Sequence, residues 1–284
     1  MRVSQDTQIN GTPLAVLLPG SGSDEVFLRT AVAPPLCAIG LTVRTTEVSP
    51  GRGVVQGYLR ALDLGLAEAA DRSVPLLVGG ISLGAQVAAR WAAGQVVDGS
   101  APAGLGGSPG AVLGGSPGRV VGGSPGRVLG GLLLGLPAWT GQPGTAPAAV
   151  AAAITAEAVR RDGLPATIEA TRAQTPRWLG DELARAWARH GAGLAGSLEV
   201  AAATPGPSES DLARLNVPVG LVGLRDDPVH PLRVAQEWHR LVPRSALVTT
   251  TLGALGSDWA TLGRALALAW LRACALPAPD RSPA

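Results

Sequence analysis

The sequence predicts an α/β protein built in three layers, a mostly parallel six-strand sheet carrying helices on both faces. Short apolar runs alternate with longer helical patterns, which is how strand and crossover helix follow one another in a parallel sheet. The chain has 284 residues, of which 46% are hydrophobic and 15% charged. A chain so apolar collapses, and one so long buries a large core.

The strand candidates, in order, are Leu14 to Leu18, Leu41 to Val48, Pro75 to Gly79, Leu132 to Leu136, Val217 to Leu224 and Ala246 to Leu252. Between the second and third lies Gly53 to Ala70, where Tyr58, Leu62 and Leu66 recur at helical spacing. After the third strand, Ala85 to Ala93 reads as a helix broken at Gly94. Pro231 to Leu241 and Trp259 to Leu276 read as helices bracketing the last strand, and residues 277 to 284 as a frayed tail. From 146 to 204 the pattern is helical without a strand, with candidates Ala146 to Asp162, Pro165 to Gln174, Arg177 to His190 and Leu194 to Ala203. This insertion, about residues 140 to 210, is expected either to form a lid over the site or to pack as a side layer.

The 39 glycines and 24 prolines fall into two groups. One is an octapeptide repeat: Leu105-Gly-Gly-Ser-Pro-Gly-Ala-Val, then two further copies from Leu113 and Val121. Three copies of eight residues make no independent core. Residues 105 to 131 are therefore read as an expanded loop within a single domain spanning 1 to 284. A phosphate cradle is the weaker reading, because its glycines would stand between a strand's end and a helix's start, whereas these precede a strand. The remaining glycines punctuate turns.

Composition excludes several functions. All 23 basic residues are Arg, against 21 acidic ones, which is no electrostatic footprint for nucleic acid. With one Tyr and one Phe beside seven Trp, base-stacking platforms are not expected. Cys37 and Cys274 form no metal or disulfide spacing and are expected to be buried thiols in a reducing cytosol. No segment before Pro13 reads as a secretory signal, and no apolar run reaches the ~20 residues that span a bilayer. The expectation is a cytoplasmic protein acting on a small molecule, without membrane, metal or cofactor.

The strongest chemical feature is Gly80-Ile81-Ser82-Leu83-Gly84, a Gly-x-Ser-x-Gly pattern that follows a predicted strand and opens a predicted helix. A tight strand-to-helix turn leaves no room for side chains at its flanks and thrusts the serine oxygen outward. The helix N-terminus and the Leu83 amide are then placed to stabilise an oxyanion. The alternative is a structural turn. Leu17-Leu18-Pro19-Gly20-Ser21-Gly22-Ser23-Asp24 leaves the first strand through a glycine-bearing loop, where Ser21 or Gly22 would supply a second oxyanion amide. Ser23 or Asp24 can cap the following helix in either case. A third element, Arg225-Asp226-Asp227-Pro228-Val229-His230-Pro231, places acids just beyond a late strand.

On these residues the chain resembles the α/β-hydrolase fold superfamily. Its Ser-Asp-Glu-Val-Phe and Asp-Pro-Val-His-Pro stretches look like an uncharacterised actinobacterial branch of it. The resemblance covers nearly the whole chain, although the antiparallel strands that usually begin that fold are absent or minimal. It implies Ser82 as nucleophile, Asp227 as the acid with Asp226 as the alternative, and the backbone near Ser21, Gly22 and Leu83 as oxyanion hole. It also implies a histidine in the loop after the last strand, yet Gly253 to Trp259 contains none.

Of the three histidines, His190 ends a predicted helix, where a cation meets the C-terminal dipole, and His239 reads as a surface residue. His230, three residues past Asp227, is the one candidate base, with a supporting or packing role as the alternative. Asp258 is expected to cap the terminal helix and Glu25 to serve as a first-turn acid. Two functions follow. One is an esterase-like serine hydrolase acting through an acyl-Ser82 intermediate on a small hydrophobic ester, with Trp178, Leu183 and Trp187 lining the lid. The other is a hydrolase-like binding protein that keeps the pocket without the base; a repeat-mediated interaction module is a third reading.

Overall fold

The computed structural model describes residues 11–47, 49–96 and 129–277, and nearly all of the octapeptide repeat lies outside them. The elements run β1 (Leu14–Leu18), α1 (Glu25–Phe27), a π-helical turn (Leu28–Val32), α2 (Ala33–Ala38), β2 (Thr42–Thr45), α3 (Val54–Asp71), β3 (Leu76–Ile81) and α4 (Leu83–Val96). They continue with β4 (Leu129–Gly135), α5 (Pro147–Asp162), α6 (Leu164–Gln174), α7 (Arg177–His190), a 3-10 turn (Gly191–Gly193), α8 (Leu194–Ala203) and α9 (Glu209–Arg214). The last are β5 (Val219–Leu224), α10 (Leu232–Leu241), β6 (Ser245–Thr250), α11 (Leu252–Ser257) and α12 (Ala260–Cys274).

The six strands lie in the order β2-β1-β3-β4-β5-β6, and every pairing between them is parallel. Strands β1, β3 and β5 are buried at every residue, as strands covered on both faces must be, which is why they read as continuous apolar runs. Alternate side chains go to opposite faces. Leu14, Val16, Leu18, Leu76 and Val78 join one core with α3, α4, α9 and α10. Ala15, Leu17, Leu77, Ile81 and Leu133 join the other with the first helices and α12. On α3 the residues Val54, Tyr58 and Leu62 form the buried stripe, and Trp91 of α4 donates to Asp63 at 2.8 Å to tie the two helices.

The insertion leaves the sheet after β4 and returns before β5. Its neck is stitched by backbone bonds from Gly206 to the Gly141 carbonyl, 2.7 Å, and from Gly141 to the Pro207 carbonyl, 2.8 Å. Helix α9 begins on a capping box between Ser208 and Asp211.

Several boundaries differ from expectation. Helix α4 runs through Gly94 to Val96, since one glycine costs a helix only about 1 kcal/mol and its other turns are buried. Strand β4 begins at Leu129, inside the segment assigned to the loop. The stretch after β6 is helical as α11, because Thr251 caps it by accepting from Ala254 N at 3.1 Å and Asp226 accepts from Leu252 N at 2.7 Å. Cys37 is exposed and Cys274 only partly covered, so the two thiols are not buried as expected. Among the described residues, no helix is long and apolar enough to cross a membrane.

Helix α12 presses its backbone on the sheet at Gly220, where a Cβ would lie 2.6 Å from the Trp270 amide nitrogen and 2.9 Å from its Cα. Both obstacles are backbone. Gly220→Ala should therefore force the helix off the sheet and destabilise the protein by about 1–3 kcal/mol, read as a lower urea midpoint. A midpoint equal to wild type would mean that helix and sheet have slack there.

Candidate active site

In the sheet order the chain reverses direction between β1 and β3, the switch point where open parallel sheets form a crevice at the strands' carboxyl ends. Both predicted oxyanion segments and Ser82 leave the sheet at that point. The β3–α4 turn is as tight as the glycine spacing requires. A Cβ on Gly80 or on Gly84 would stand 2.2 Å from the Leu18 carbonyl oxygen, so only glycine fits at either flank. Ser82 itself has φ of 53°, a left-handed conformation that costs a serine on the order of 1–3 kcal/mol and marks functional turns. Its amide donates to the Gly135 carbonyl at 3.0 Å, fastening the turn to β4.

His230 reaches this serine. Its Nε2 lies 2.9 Å from Ser82 Oγ, and its Nδ1 lies 2.9 Å from Asp227 Oδ2. A carboxylate accepts, so Nδ1 carries the hydrogen and Nε2 is left to accept from the serine hydroxyl. The Asp227 side chain is 8% exposed and that of His230 16%. Asp227 also holds the turn itself, because its Oδ1 accepts from Val229 N at 2.8 Å and His230 N at 3.1 Å. Burial pushes the Asp227 carboxyl up, but the hydrogen bond and charge of His230 and the two amides together hold it below its ordinary value.

Asp226 goes elsewhere: it is exposed and caps α11. That helix occupies the place where a histidine was expected after the last strand, and Trp178 of α7 seats on it. A Cβ on Gly256 would lie 2.4 Å from Trp178 Nε1.

The first loop lies against the nucleophile. A Cβ on Gly20 would be 3.5 Å from the Ser82 Cβ, and Ser23 N donates to the Gly20 carbonyl at 3.1 Å, closing a turn centred on Ser21 and Gly22. Gly22 faces the insertion, with its carbonyl accepting from Trp187 Nε1 at 3.1 Å. Leu83 opens α4, and first-turn amides have no acceptor within their own helix. Asp24 caps α1 through Val26 N and Phe27 N, and Glu25 stands in its first turn, paired with Arg189 at 2.7 Å. Asp258 accepts from Ala260 N at 3.0 Å at the start of α12, as expected.

His190 departs from its expected role as a dipole-stabilised cation. Burial pushes its pKa down, more than the Ser23 carbonyl and the nearby Asp24 and Glu25 raise it. Its Nε2 lies 3.0 Å from the Ser23 carbonyl oxygen and therefore donates to it. His239 is exposed, with Nδ1 2.9 Å from Ser245 Oγ. Among the described residues, no group of three or more His, Cys, Asp or Glu is placed to hold a metal.

The lowered Asp227 carboxyl makes stability depend on pH with a definite sign. Its contribution is fully present above the ordinary carboxyl value of 3.8 and is lost as pH falls through the lower folded value. Asp227→Ala should cost about 1–3 kcal/mol at neutral pH, since it strands buried donors. The gap between wild type and variant in urea melts should then narrow as the pH falls below 3.8; a gap unchanged over that range would rule out this linkage.

No family model matches the chain, and no curated protein matches its sequence. Solved structures do match. The bromoperoxidase from Bacillus anthracis is 16% identical, with 91% of each chain covered and a TM-score of 0.61. The thermophilic esterase from Thermogutta terrifontis is 19% identical over 85% of this chain and 82% of that one, with a TM-score of 0.55. The enol-lactonase from Burkholderia xenovorans LB400 is 14% identical over 92% and 93%, with a TM-score of 0.56. At such identities the likeness is one of architecture, and together with the six-strand parallel sheet and its flanking helices it establishes that this chain has the α/β-hydrolase fold.

Proposed function

We propose that the protein is a serine hydrolase of esterase type, working through an acyl-Ser82 intermediate on a small hydrophobic ester in the cytoplasm. The observation that carries this reading is the unbroken chain from Ser82 Oγ through the His230 ring to Asp227, with both links at 2.9 Å. Such an arrangement performs acyl transfer in two halves. His230 Nε2 takes the Ser82 proton as Oγ attacks the ester carbonyl, and returns it to the departing alcohol oxygen. Water then attacks the acyl-serine, with His230 again as base, which releases the acid and restores the serine.

Asp227 keeps the imidazole in the tautomer that accepts at Nε2 and stabilises it once charged. The negative oxygen of each tetrahedral intermediate would lie between the Leu83 amide and a loop amide. Ser21 suits the latter better than Gly22, since it follows Gly20 at the nucleophile while Gly22 turns to Trp187. The names of the matched esterase and enol-lactonase belong to the same reaction class.

The binding-protein reading rested on the absence of a histidine after the last strand. His230 offers a base from the loop after β5 instead, so that absence no longer favours it.

A fluorophosphonate probe tests the proposal directly. Wild type should label, Ser82→Ala should not, and His230→Ala should label about 100-fold or more slowly, the usual contribution of a positioned base. Folded wild type that fails to label would sink the enzyme reading, and undiminished labelling of His230→Ala would remove His230 as the base.

A further inference from the structure

The oxyanion loop is gripped by the last two turns of one helix, on three consecutive residues. Trp187 Nε1 donates to the Gly22 carbonyl at 3.1 Å, and His190 Nε2 to the Ser23 carbonyl at 3.0 Å. Arg185 meets the Asp24 carboxylate in a fork, at 2.6 and 2.8 Å, and Arg189 Nε approaches the same carboxylate at 3.0 Å. The carboxylates of the grip are buried, with Asp24 and Glu182 each 6% exposed, and Glu182 holds the other side of the Arg185 guanidinium at 2.6 and 2.8 Å.

These bonds bear on the amides that matter for the proposed chemistry. The Gly22–Ser23 peptide is fixed at both ends, its oxygen by Trp187 and its N–H by the Gly20 carbonyl. The next peptide is fixed at its oxygen by His190. The Gly20–Ser21 peptide, which carries the Ser21 N–H, is in turn held at its oxygen by the N–H of the clamped Gly22–Ser23 peptide, so the direction of the Ser21 N–H follows from contacts made by α7. An oxyanion donor contributes to rate only when it is aimed before the charge develops.

We infer that α7 is a positioning clamp for the oxyanion loop, with Trp187 and His190 as positioning residues that set the aim of the Ser21 amide without touching substrate. This inference rests on the serine-hydrolase reading. The insertion thereby controls the chemical step as well as any access to the site, and its hold on the loop differs in kind from substrate binding, which it leaves largely unchanged.

The experiment compares Trp187→Phe, His190→Leu and His190→Gln with wild type. The first two remove a donor, whereas the third keeps one near the Ser23 carbonyl. With p-nitrophenyl acetate, Trp187→Phe and His190→Leu should lower kcat about 10- to 100-fold, the scale of a small misplacement of a catalytic group, with KM changed less than about threefold. Amide hydrogen exchange in peptides covering residues 20–24 should accelerate in both, and His190→Gln should recover most of the rate and the protection. An unchanged kcat, or a lowered kcat without faster exchange at 20–24, would overturn the clamp. Should Trp187→Phe not fold, the two His190 variants at the helix terminus carry the test alone. Ser82→Ala that hydrolyses the ester at the wild-type rate would instead defeat the hydrolase reading, while the exchange data would still decide whether α7 holds the loop.

Discussion

The Leu18 carbonyl oxygen is the point on which the site is built. It ends β1, and the turn that presents Ser82 comes so near that neither Gly80 nor Gly84 has room for a Cβ, each blocked at 2.2 Å. Because the same strand continues into Gly20 and Ser21, this one approach fixes the nucleophile and the oxyanion loop relative to each other. Both are thereby part of one rigid sheet edge, with β1 and β3 paired in register from Leu14 and Leu76 to Leu18 and Gly80. Rigid strand ends are the more exact support for a reacting group.

The third partner is brought from farther away by a different device. The turn after β5 is self-contained: Asp227 accepts from two amides of its own loop and from the ring of His230, and proline stands on either side of the Val229–His230 pair. Acid and base thus come as a prefabricated unit three residues apart, with proline limiting the alternatives open to the chain. A unit of this kind frees the loop after β6 from supplying a histidine. There α11 packs instead under Trp178, and Asp226 caps it, so adjacent acids serve opposite ends of the same edge.

Much of this was legible along the chain. Strands β1, β3 and β5 are apolar at nearly every position because they are covered on both faces, and the buried stripe of α3 repeats at helical spacing. The elbow was legible because its glycines answer a local steric demand. Helix α11 was not, since Leu252-Gly-Ala-Leu-Gly-Ser holds two poor helix formers and one of its caps comes from Asp226, 26 residues earlier. His190 and Trp187 were read as helix-terminal and apolar residues for a similar reason: their partners are carbonyls 167 and 165 residues away, and no backbone carbonyl has a sequence signature.

The sequence by itself determined the layered α/β class and the tight turn at Ser82, and it set His230 three residues past Asp227, because each depends on neighbours within a few positions. Tertiary structure alone decided that this pair meets Ser82. β4 lies between β3 and β5, so the histidine spans two strand spacings, about 10 Å, to reach the nucleophile. Whether a side chain bridges that gap depends on strand order, register and the height of each turn above the sheet. Those quantities are set by packing across the whole core, and residue spacing along the chain carries no measure of them.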